Sequence, residues 1–399
     1  MYRIIVLGKN YSTLLGAIRS LANHNFEIDV YYVAWHPGDG SIAACSRHIN
    51  QYVEHIGRDA DEIVKELIAV FGNQMDKPLL LPTDDYTASV MDLHFDDLSE
   101  YFLLPHTASG HKGDIVRLMD KATQIAIAQA FGLKTARSWV VSFENGSYII
   151  PDDIVYPCFY KPLISFQGGK DGMRKCGSKQ ELVAELDVIK NHRNQFTVFV
   201  QEFLDISEEY SISGVVFGDH VYLPALLRKL RVSEAHKGTT VYGVIEEIKK
   251  LGKTFDQLNE FLKSLSLFCI IDIEVFKCGG EYYFNEINFR TSAVCYAAVA
   301  GGANIPAVFA TAMFTQIFEV IEGKMTFGKK FLCEKAAWDD YNTGLLSKKE
   351  LDSMYDEADY YIIRNIEDIK PESEFIKKAK CMRIKHKLKI IAKHLLRCE

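Results

Sequence analysis

An acidic hairpin, residues 272–290, restricts the fold more than any other segment; in it two apolar strands flank a Gly-Gly-Glu turn at 279–281. Side chains alternate between the faces of a strand, so Asp272 and Glu274 share one face. A three-residue turn places Glu274 directly opposite Glu286 on the second strand. Facing like charges destabilise paired strands, whereas carboxylate oxygens bind Mg²⁺ together with nucleotide phosphates. The hairpin therefore predicts a site for a metal and a nucleotide.

The composition is that of an ordinary globular protein, with 399 residues of which 48% are apolar, enough for two or three domains. No apolar run reaches the roughly 18 residues of a membrane span, and residues 1–8 have the pattern of a strand and not of a secretory signal. The nine cysteines form no Cys-x-x-Cys pair. We therefore expect a cytoplasmic protein with reduced, structural cysteines and no zinc site.

The C-terminal segment 377–399 is strongly basic, with nine Lys or Arg and one Glu in a chain whose net charge is −7. Its apolar residues follow helical spacing, at Ile384, Leu388, Ile391 and Leu395. The pattern predicts a basic amphipathic helix. Two interpretations stay open: the helix packs on the acidic remainder of the chain, or it contacts a membrane surface or another polyanion.

The first part of the chain predicts a doubly wound, Rossmann-like domain over residues 1–105. Its candidate elements are a strand, a helix and a strand, then an amphipathic helix and a buried strand, at 3–8, 12–23, 28–34, 61–71 and 79–82. The turn after Gly8 lacks the Gly-x-Gly-x-x-Gly pattern. Close packing of strand and helix around Gly8 and Gly16 explains these glycines better than a dinucleotide site.

The middle of the chain predicts an α+β region. A helix over 116–131 ends at Gly132 and is followed by antiparallel strands, and Thr254 with Gln257 predicts a capping box for a further helix. A helix at 306–320 precedes a mostly helical C-terminal extension, 323–399. In that extension we predict one loop and two helices, at 338–341, 347–358 and 366–399.

A second group of residues suits the phosphates of a nucleotide. Lys161 ends an apolar strand and precedes a Gly-rich loop, 165–172, that includes Gly168, Gly169 and Lys170. An ammonium group and several backbone N–H groups in such a place can reach phosphate oxygens. An ordinary surface turn explains the loop about as well, and the loop is not a P-loop.

A third group suits the nucleoside. A predicted strand at 196–200 ends in a mixed run, Gln201, Glu202, Phe203 and Leu204. Adenine needs backbone donors and acceptors between apolar faces, and a carboxylate such as Glu209, a few residues beyond, suits ribose hydroxyls. Lys121 offers a second cation for phosphates, although a lone lysine is normally a surface residue.

The chain resembles the ATP-grasp superfamily, the group of biotin carboxylase, carbamoyl-phosphate synthetase and D-alanine–D-alanine ligase, in the order of its motifs. These are an Asp-Lys pair, a strand-ending lysine with a Gly-rich loop, a Gln/Glu run, and a Glu twelve residues before Glu-x-Asn-x-Arg, at 120–121, 161–172, 201–204, 274 and 286–290. The resemblance covers about residues 1–320. It implies that a Rossmann-like domain precedes an ATP-grasp domain, 106–322, whose two α+β lobes, about 106–203 and 204–322, clasp ATP.

The resemblance also implies roles for single residues. Phosphates bind to Lys121, Lys161 and the Gly-rich loop, adenine to 201–204, ribose to Glu209, and Mg²⁺ or Mn²⁺ to Glu274, Glu286 and Asn288. Arg290 occupies the place where the family stabilises an acyl phosphate, for which a forked guanidinium is suited. A salt bridge to a neighbouring acid is the structural alternative for Arg290. The chain departs from the family in having Ser-Phe-Gln-Gly-Gly-Lys in the loop and Glu202 where a lysine is common.

Within the superfamily, three segments are most similar to the carboxylate–amine ligase branch that contains D-aspartate ligase and carbamoyl-phosphate synthetase large-subunit-like proteins, at 81–86, 285–290 and 301–306. The resemblance implies an ADP-forming ligase that makes an amide through an acyl phosphate, with an amino acid as one substrate. Activation of bicarbonate or another acid on the same scaffold is one alternative. ATP binding without turnover is the other.

Basic residues after a predicted strand at 221–227 are candidates for binding the carboxylate substrate, namely Arg228, Lys229 and Arg231, with Lys237 nearby. A solvated basic turn explains them equally well. We expect small carboxylate and amine substrates and no nucleic acid as partners, and a homodimer as the usual state of such enzymes.

Overall fold

Three β-sheets organise the protein in a computed structural model that describes residues 1–22, 24–73, 75–145, 147–164, 173–192, 196–320 and 323–395. The sheets have four, five and nine strands. Gly168, Gly169 and Lys170 of the predicted phosphate loop lie outside the described residues. The mixture of one parallel sheet with two largely antiparallel sheets agrees with the predicted α/β and α+β classes.

The N-terminal sheet is parallel, with strand order β3-β2-β1-β4. Its strands are β1 (Tyr2–Gly8), β2 (Phe26–Ala34), β3 (Gln51–Ile56) and β4 (Leu79–Pro82). Its helices are α1 (Tyr11–Ala22), α2 (Ser41–Ala44), α3 (Ala60–Phe71), α4 (Asp85–Leu93) and α5 (Phe95–Ser99). The predicted βαβ opening, the amphipathic helix and the strand at 79–82 are confirmed. Both faces of β1 are buried, which explains its continuous apolar run.

The connection to the next sheet contains β5 (His106–Thr107), α6 (Asp114–Leu118) and α7 (Lys121–Ala130). The prediction of one helix over 116–131 is wrong because the carboxylate of Asp120 accepts a hydrogen bond from the Thr123 backbone N–H at 2.8 Å. Asp120 thus caps a new helix. Lys121 becomes the first residue of α7 and is only 4% exposed.

The five-stranded sheet is antiparallel, in the order β7-β6-β10-β8-β9. Its elements are β6 (Ser138–Glu144), β7 (Ser147–Tyr148), β8 (Cys158–Pro162), β9 (Arg174–Cys176), α8 (Lys179–His192) and β10 (Phe196–Glu202). The predicted strand-ending Lys161 lies within β8. The predicted run 201–204 begins in β10 and continues as the connection between this sheet and the next.

The nine-stranded sheet is the centre of the molecule. Its strands before residue 300 are β11 (Glu208–Phe217), β12 (His220–Tyr222), β13 (Leu226–Val232), β14 (Thr240–Glu246), β15 (Leu267–Cys278) and β16 (Glu281–Asn288), and β5 pairs with β15. A 3-10 helix (Ile248–Leu251) and α9 (Lys253–Ser264), α10 (Cys295–Ala300) and α11 (Ile305–Thr315) accompany them. The predicted capping box is wrong, since Gly252 precedes α9 and the Gln257 side chain donates to the Gly132 carbonyl at 2.6 Å.

The C-terminal extension adds two strands and three helices, β17 (Lys330–Leu332), α12 (Glu334–Thr343), α13 (Lys348–Glu357), β18 (Tyr360–Tyr361) and α14 (Lys370–Leu395). The predicted loop at 338–341 is wrong because these residues lie in α12, where Trp338 donates to the Tyr355 hydroxyl at 3.0 Å. The two predicted helices correspond to α13 and α14. The side chains that would form the amphipathic face of α14 beyond Ile384 lie outside the described part of the structure.

The extension packs on the N-terminal sheet, with which it shares a hydrophobic core. A buried ion pair joins Arg19 of α1 to Asp368 at 3.2 Å. Every cysteine in the described residues is a free thiol. No described helix combines the length and the apolar character that crossing a bilayer requires.

Candidate active site

One face of the nine-stranded sheet carries charged side chains. Strand pairing places Glu274 opposite Glu286, and Glu209 opposite Lys229. Apolar neighbours such as Ile273 alternate with them and fill the core behind the sheet. The Lys229 Nζ lies 3.2 Å from Glu274 Oε1 and 3.5 Å from Glu209 Oε2. Burial lowers the pKa of Lys229, but these carboxylates outweigh burial and raise it above its usual value, so the lysine is charged.

The predicted facing of Glu274 and Glu286 is confirmed, but a different turn produces it. The turn has two residues, Gly279 and Gly280, with φ of 57° and 84°, which glycine adopts at little cost. A β-bulge at Asn285 then adds the residue that the shorter turn omits. The bulge also brings Asn285 into the same cavity as Glu286.

Two lysines, Lys121 at the start of α7 and Lys161 in β8, approach the acidic pair. The Nζ of Lys121 lies 3.5 Å and the Nζ of Lys161 3.8 Å from Glu286 Oε2. Lys161 also donates to Asn285 Oδ1 at 3.1 Å. Burial lowers the pKa of Lys161 to about 8 although Glu286 opposes the shift. Burial raises the pKa of Glu286, but Lys121 and Lys161 outweigh it and lower that pKa well below its usual range.

Arg290 lies where the N-terminal domain meets this face. Its Nε is 3.0 Å from Asp85 Oδ1, at the start of α4, and its Nη1 is 3.6 Å from Asp272 Oδ2. The salt bridges that the sequence left as an alternative are therefore present. Burial raises the pKa of Asp272 to about 6 against the influence of Arg290. The guanidinium is nevertheless part of the cavity wall, as is Asp85.

A cavity of about 460 Å³ separates the five-stranded sheet from the charged face of the nine-stranded sheet. Its apolar walls include Phe159, Met173 and Phe276. The predicted site residues that line it are Lys121, Lys161, Gln201, Glu202, Phe203, Leu204, Glu209, Lys237, Glu274, Glu286, Asn288 and Arg290. A lining that combines charged groups with apolar side chains matches the two halves of a nucleotide in character.

The run 201–204 forms one edge of this cavity. The Phe203 backbone N–H donates to the Pro157 carbonyl at 3.0 Å, which ties the run to the first lobe. The Glu202 carboxylate turns to Arg137, 2.9 Å from its Nε, and this pair lowers the pKa of Glu202. Arg137 therefore pairs with the charge that Glu202 brings to the cavity wall.

The structure does not bring Arg228 and Arg231 to the cavity. These residues are within β13 and not in a turn after a strand. Alternation turns Arg228 to the face opposite Lys229, and register irregularities on both sides of Arg231 interrupt the alternation there. Arg228 pairs with Glu246 at 3.0 Å behind the sheet, and Arg231 turns to the extension, where it donates to the Leu345 carbonyl at 3.0 Å. Lys229, between them, faces the cavity side.

Sequence reasoning gave no site role to three members of the charged cluster, Asp85, Asp272 and Asn285. Strand alternation was a usable signal for Asp272, because it shares a face with Glu274. Asp85 and Asn285 lie in segments that resemble the carboxylate–amine ligase branch, 81–86 and 285–290. Their place in the site comes from the bulge at Asn285 and from a contact between Asp85 and Arg290 across 205 positions of sequence.

Solved structures of several enzymes share this fold. An N5-carboxyaminoimidazole ribonucleotide synthetase in complex with ADP is 14% identical, with 82% of this chain and 80% of that chain covered and a TM-score of 0.61. An L-amino acid ligase from Bacillus licheniformis is 12% identical over 83% and 79%, with a TM-score of 0.61. A biotin carboxylase from Campylobacter jejuni is 12% identical over 82% and 74%, with a TM-score of 0.62.

No protein-family model and no curated protein matches the chain by sequence. The common fold of these neighbours is the ATP-grasp fold. The chain therefore has the ATP-grasp fold, and that prediction from the motifs is confirmed.

Proposed function

We propose that the protein is an ATP-dependent carboxylate–amine ligase. The observation that carries this proposal is the facing pair Glu274 and Glu286, flanked by Lys121 and Lys161 in a cavity between two lobes. Structural neighbours that are ligases and carboxylases support it at the level of the fold. The proposed products are an amide, ADP and phosphate.

ATP is proposed to lie across the cavity. Lys121 and Lys161 contact its phosphates, the run 201–204 contacts adenine, and Glu209 contacts ribose. Glu209 lies on the same face as Glu274 and is joined to it through Lys229. This places the proposed ribose and phosphate contacts on one continuous surface.

The residues fit a divalent cation that is shared with a nucleotide. Glu274 and Glu286 face each other and Asn288 lies one step along the same face. In the described residues no three carboxylate, histidine or cysteine side chains converge, so the protein alone offers an incomplete ligand set. Mg²⁺ commonly takes one or two carboxylates and completes its shell with phosphate oxygens and water. Mg²⁺ or Mn²⁺ held by these three residues would neutralise charge on the phosphates.

The proposed chemistry needs no protein nucleophile. A carboxylate oxygen of the substrate attacks the γ-phosphorus of ATP, and ADP leaves with the electron pair of the broken P–O bond. The amine nitrogen then attacks the acyl carbon, phosphate leaves, and the nitrogen loses a proton. Lys161 and Arg290 offset the negative charge that develops on the transferred group. Closure of the lobes keeps water from the acyl phosphate.

The test is ADP release by purified protein with Mg-ATP, a pooled panel of L- and D-amino acids, and amine acceptors added or omitted. We expect turnover that requires an amino acid and is lost in Glu286→Gln. Glu281→Gln is the matched control, because Glu281 is a carboxylate on the same strand that pairs with Lys134 at the surface. An equal loss in both variants would contradict the assignment of Glu286.

The same assay separates the alternatives. ADP release that depends on bicarbonate alone would identify an acid-activating enzyme, in line with the carboxylases among the structural neighbours. Mg-ATP binding without ADP release, also after addition of a cell extract, would identify a nucleotide-binding protein without turnover.

A further inference from the structure

The segment between β13 and β14, residues 233–239, borders the cavity, and we name it the bridging loop. Lys237 and Gly238 of this loop line the cavity. The Lys237 Nζ donates to the Met173 carbonyl at 3.0 Å, and Met173 lies in the first lobe. The loop therefore connects the two lobes across one edge of the cavity.

A carboxylate of the C-terminal extension holds the other side of this loop. Asp340 of α12 is 0% exposed. Its Oδ1 accepts from Ser233 Oγ at 2.6 Å and from Ala235 N at 3.1 Å, and its Oδ2 accepts from Glu234 N at 3.3 Å. A buried carboxylate is costly unless donors replace its water. The loop supplies those donors, so Asp340 and the loop stabilise each other's position.

Hydrogen bonds within the bridging loop connect Ser233, which Asp340 holds, to the part of the loop that contains Lys237. The Ser233 hydroxyl accepts from His236 N at 2.9 Å, and Ser233 N donates to the Thr239 carbonyl at 2.8 Å. The ring of His236 lies 3.2 Å from the Asp339 carboxylate, a second contact with α12. Two rigid attachments and short internal hydrogen bonds leave the intervening backbone little freedom.

The far end of the loop is attached to the charged face of the cavity. Lys229 Nζ donates to the Gly238 carbonyl at 3.2 Å while it also pairs with Glu274. Motion of the loop would therefore disturb Lys229 as well as Lys237. Lys237 lines the cavity and Lys229 pairs with two carboxylates of its charged face. Positive charge in this region favours an anionic ligand.

We propose that Asp340 is a positioning residue through which the C-terminal extension holds Lys237 across the cavity and so slows the release of a nucleoside diphosphate. The inference rests on the proposed function, because it requires a nucleotide in the cavity. Among the described residues, the hydrogen bonds to the Asp340 carboxylate come from the bridging loop. Its effect on the ligand therefore passes through Lys237. Loss of Asp340 and loss of Lys237 therefore act on the same step.

The test measures dissociation of MgADP from the full chain, by displacement of a fluorescent ADP analogue, in wild type, Asp340→Asn, Lys237→Met and the double variant. We expect each single variant to release ADP roughly tenfold faster, because a tenfold change in rate corresponds to the loss of one hydrogen bond to a charged group. The double variant should be no faster than the faster single variant. Asp359→Asn is the matched control, since Asp359 holds the Lys330 backbone N–H at 2.9 Å elsewhere in the extension.

The inference would be overturned if the accelerations of MgADP release in the two single variants multiply in the double variant. An unchanged release rate in Asp340→Asn would also overturn it. Hydrogen exchange separates positioning from general destabilisation: the Glu234 and Ala235 amides should lose protection in Asp340→Asn while amides of α13 keep it. Faster release without that local loss would also overturn it.

If Asp340→Asn does not fold, Ser233→Ala removes the same contact from the loop side. Wild-type protein that binds no MgADP would refute the proposed function, whereas binding that is insensitive to Asp340 would refute this inference alone.

Discussion

The cavity and the C-terminal extension both enclose carboxylates, but Glu286 in the cavity is partly exposed, whereas Asp340 and Asp368 in the extension are almost fully buried. In the cavity, Glu286 has Lys121 and Lys161 at 3.5 and 3.8 Å, longer than ordinary hydrogen bonds. In the extension, Asp340 and Asp368 accept hydrogen bonds of 2.6 to 3.3 Å from the surrounding chain. All three side chains are carboxylates, but the contacts of Asp340 and Asp368 are shorter than those of Glu286.

The difference separates charge that supports structure from charge that is available to a ligand. Donors fixed by the chain satisfy Asp340 and Asp368, so an incoming ion has nothing to replace. Loose contacts between Glu286 and its lysines beside a cavity of about 460 Å³ can be exchanged for phosphate and metal. A buried carboxylate alone is therefore a poor sign of function, and its contact lengths and the adjacent free volume distinguish the two cases.

The largest expected effect is in the extension. Asp368→Ala removes one partner of the buried pair with Arg19 and should lower the free energy of unfolding by about 3–5 kcal/mol. Chemical denaturation followed by circular dichroism measures it. Asp352→Ala, which breaks an exposed pair with Lys348, should cost about 1 kcal/mol or less. Similar losses in the two variants would remove the distinction between buried and exposed carboxylates.

Arg290→Met should reduce ligase turnover about 10²- to 10³-fold while MgADP affinity changes little, because the guanidinium acts on charge that develops during transfer. Steady-state kinetics and calorimetric binding of MgADP measure the two quantities. A parallel loss of affinity would show that Arg290 serves ground-state binding. A variant with full turnover would reduce Arg290 to its salt bridges with Asp85 and Asp272.

Glu286→Gln should weaken MgADP binding roughly 10- to 100-fold and abolish its dependence on the metal, since the variant removes a proposed ligand. Titrations of ADP with Mg²⁺ and with EDTA provide the comparison. Retained Mg²⁺ dependence in Glu286→Gln would argue against Glu286 as a metal ligand.

The smallest expected effect is a pH dependence. Burial lowers the pKa of Lys161 to about 8, and a bound phosphate favours the charged form and raises that pKa again. The complex then holds one more proton than the free protein above pH 8, so MgADP affinity should fall by up to about tenfold per pH unit there. Calorimetry in buffers of different ionisation enthalpy detects the proton uptake. In Lys161→Met this slope should vanish; a persisting slope would assign it to another group.

Much of the candidate site was predictable because its signals are local. Alternation along two strands placed Glu274, Glu286 and Asn288 on one face, and strand-ending Lys161 followed from the apolar run before it. The resemblance in motif order then predicted the ATP-grasp fold, which the structural neighbours confirm. The residue roles, the Gly-rich loop at 165–172 and the domain boundaries stay predictions.

Errors arose where distant parts of the chain decide the outcome. The loop predicted at 338–341 is a helix because Asp340 is buried against the bridging loop, over a hundred residues away in sequence. Arg228 and Arg231 were predicted to follow a strand at 221–227, but pairing with β11 and β14 extends β13 through them and directs Lys229 to the cavity side. The three-residue turn was wrong, yet the bulge at Asn285 preserved the register that mattered.

By itself the sequence determined the periodicity of the strands and helices, the order of the motifs and the face of the hairpin that carries charge, since these depend on residues only a few positions apart. Tertiary structure alone decided that Asp85 reaches Arg290, that Asn285 enters the cavity and that α12 holds the bridging loop. Such contacts join segments far apart in sequence, and their free energy depends on burial and distance that no local pattern contains.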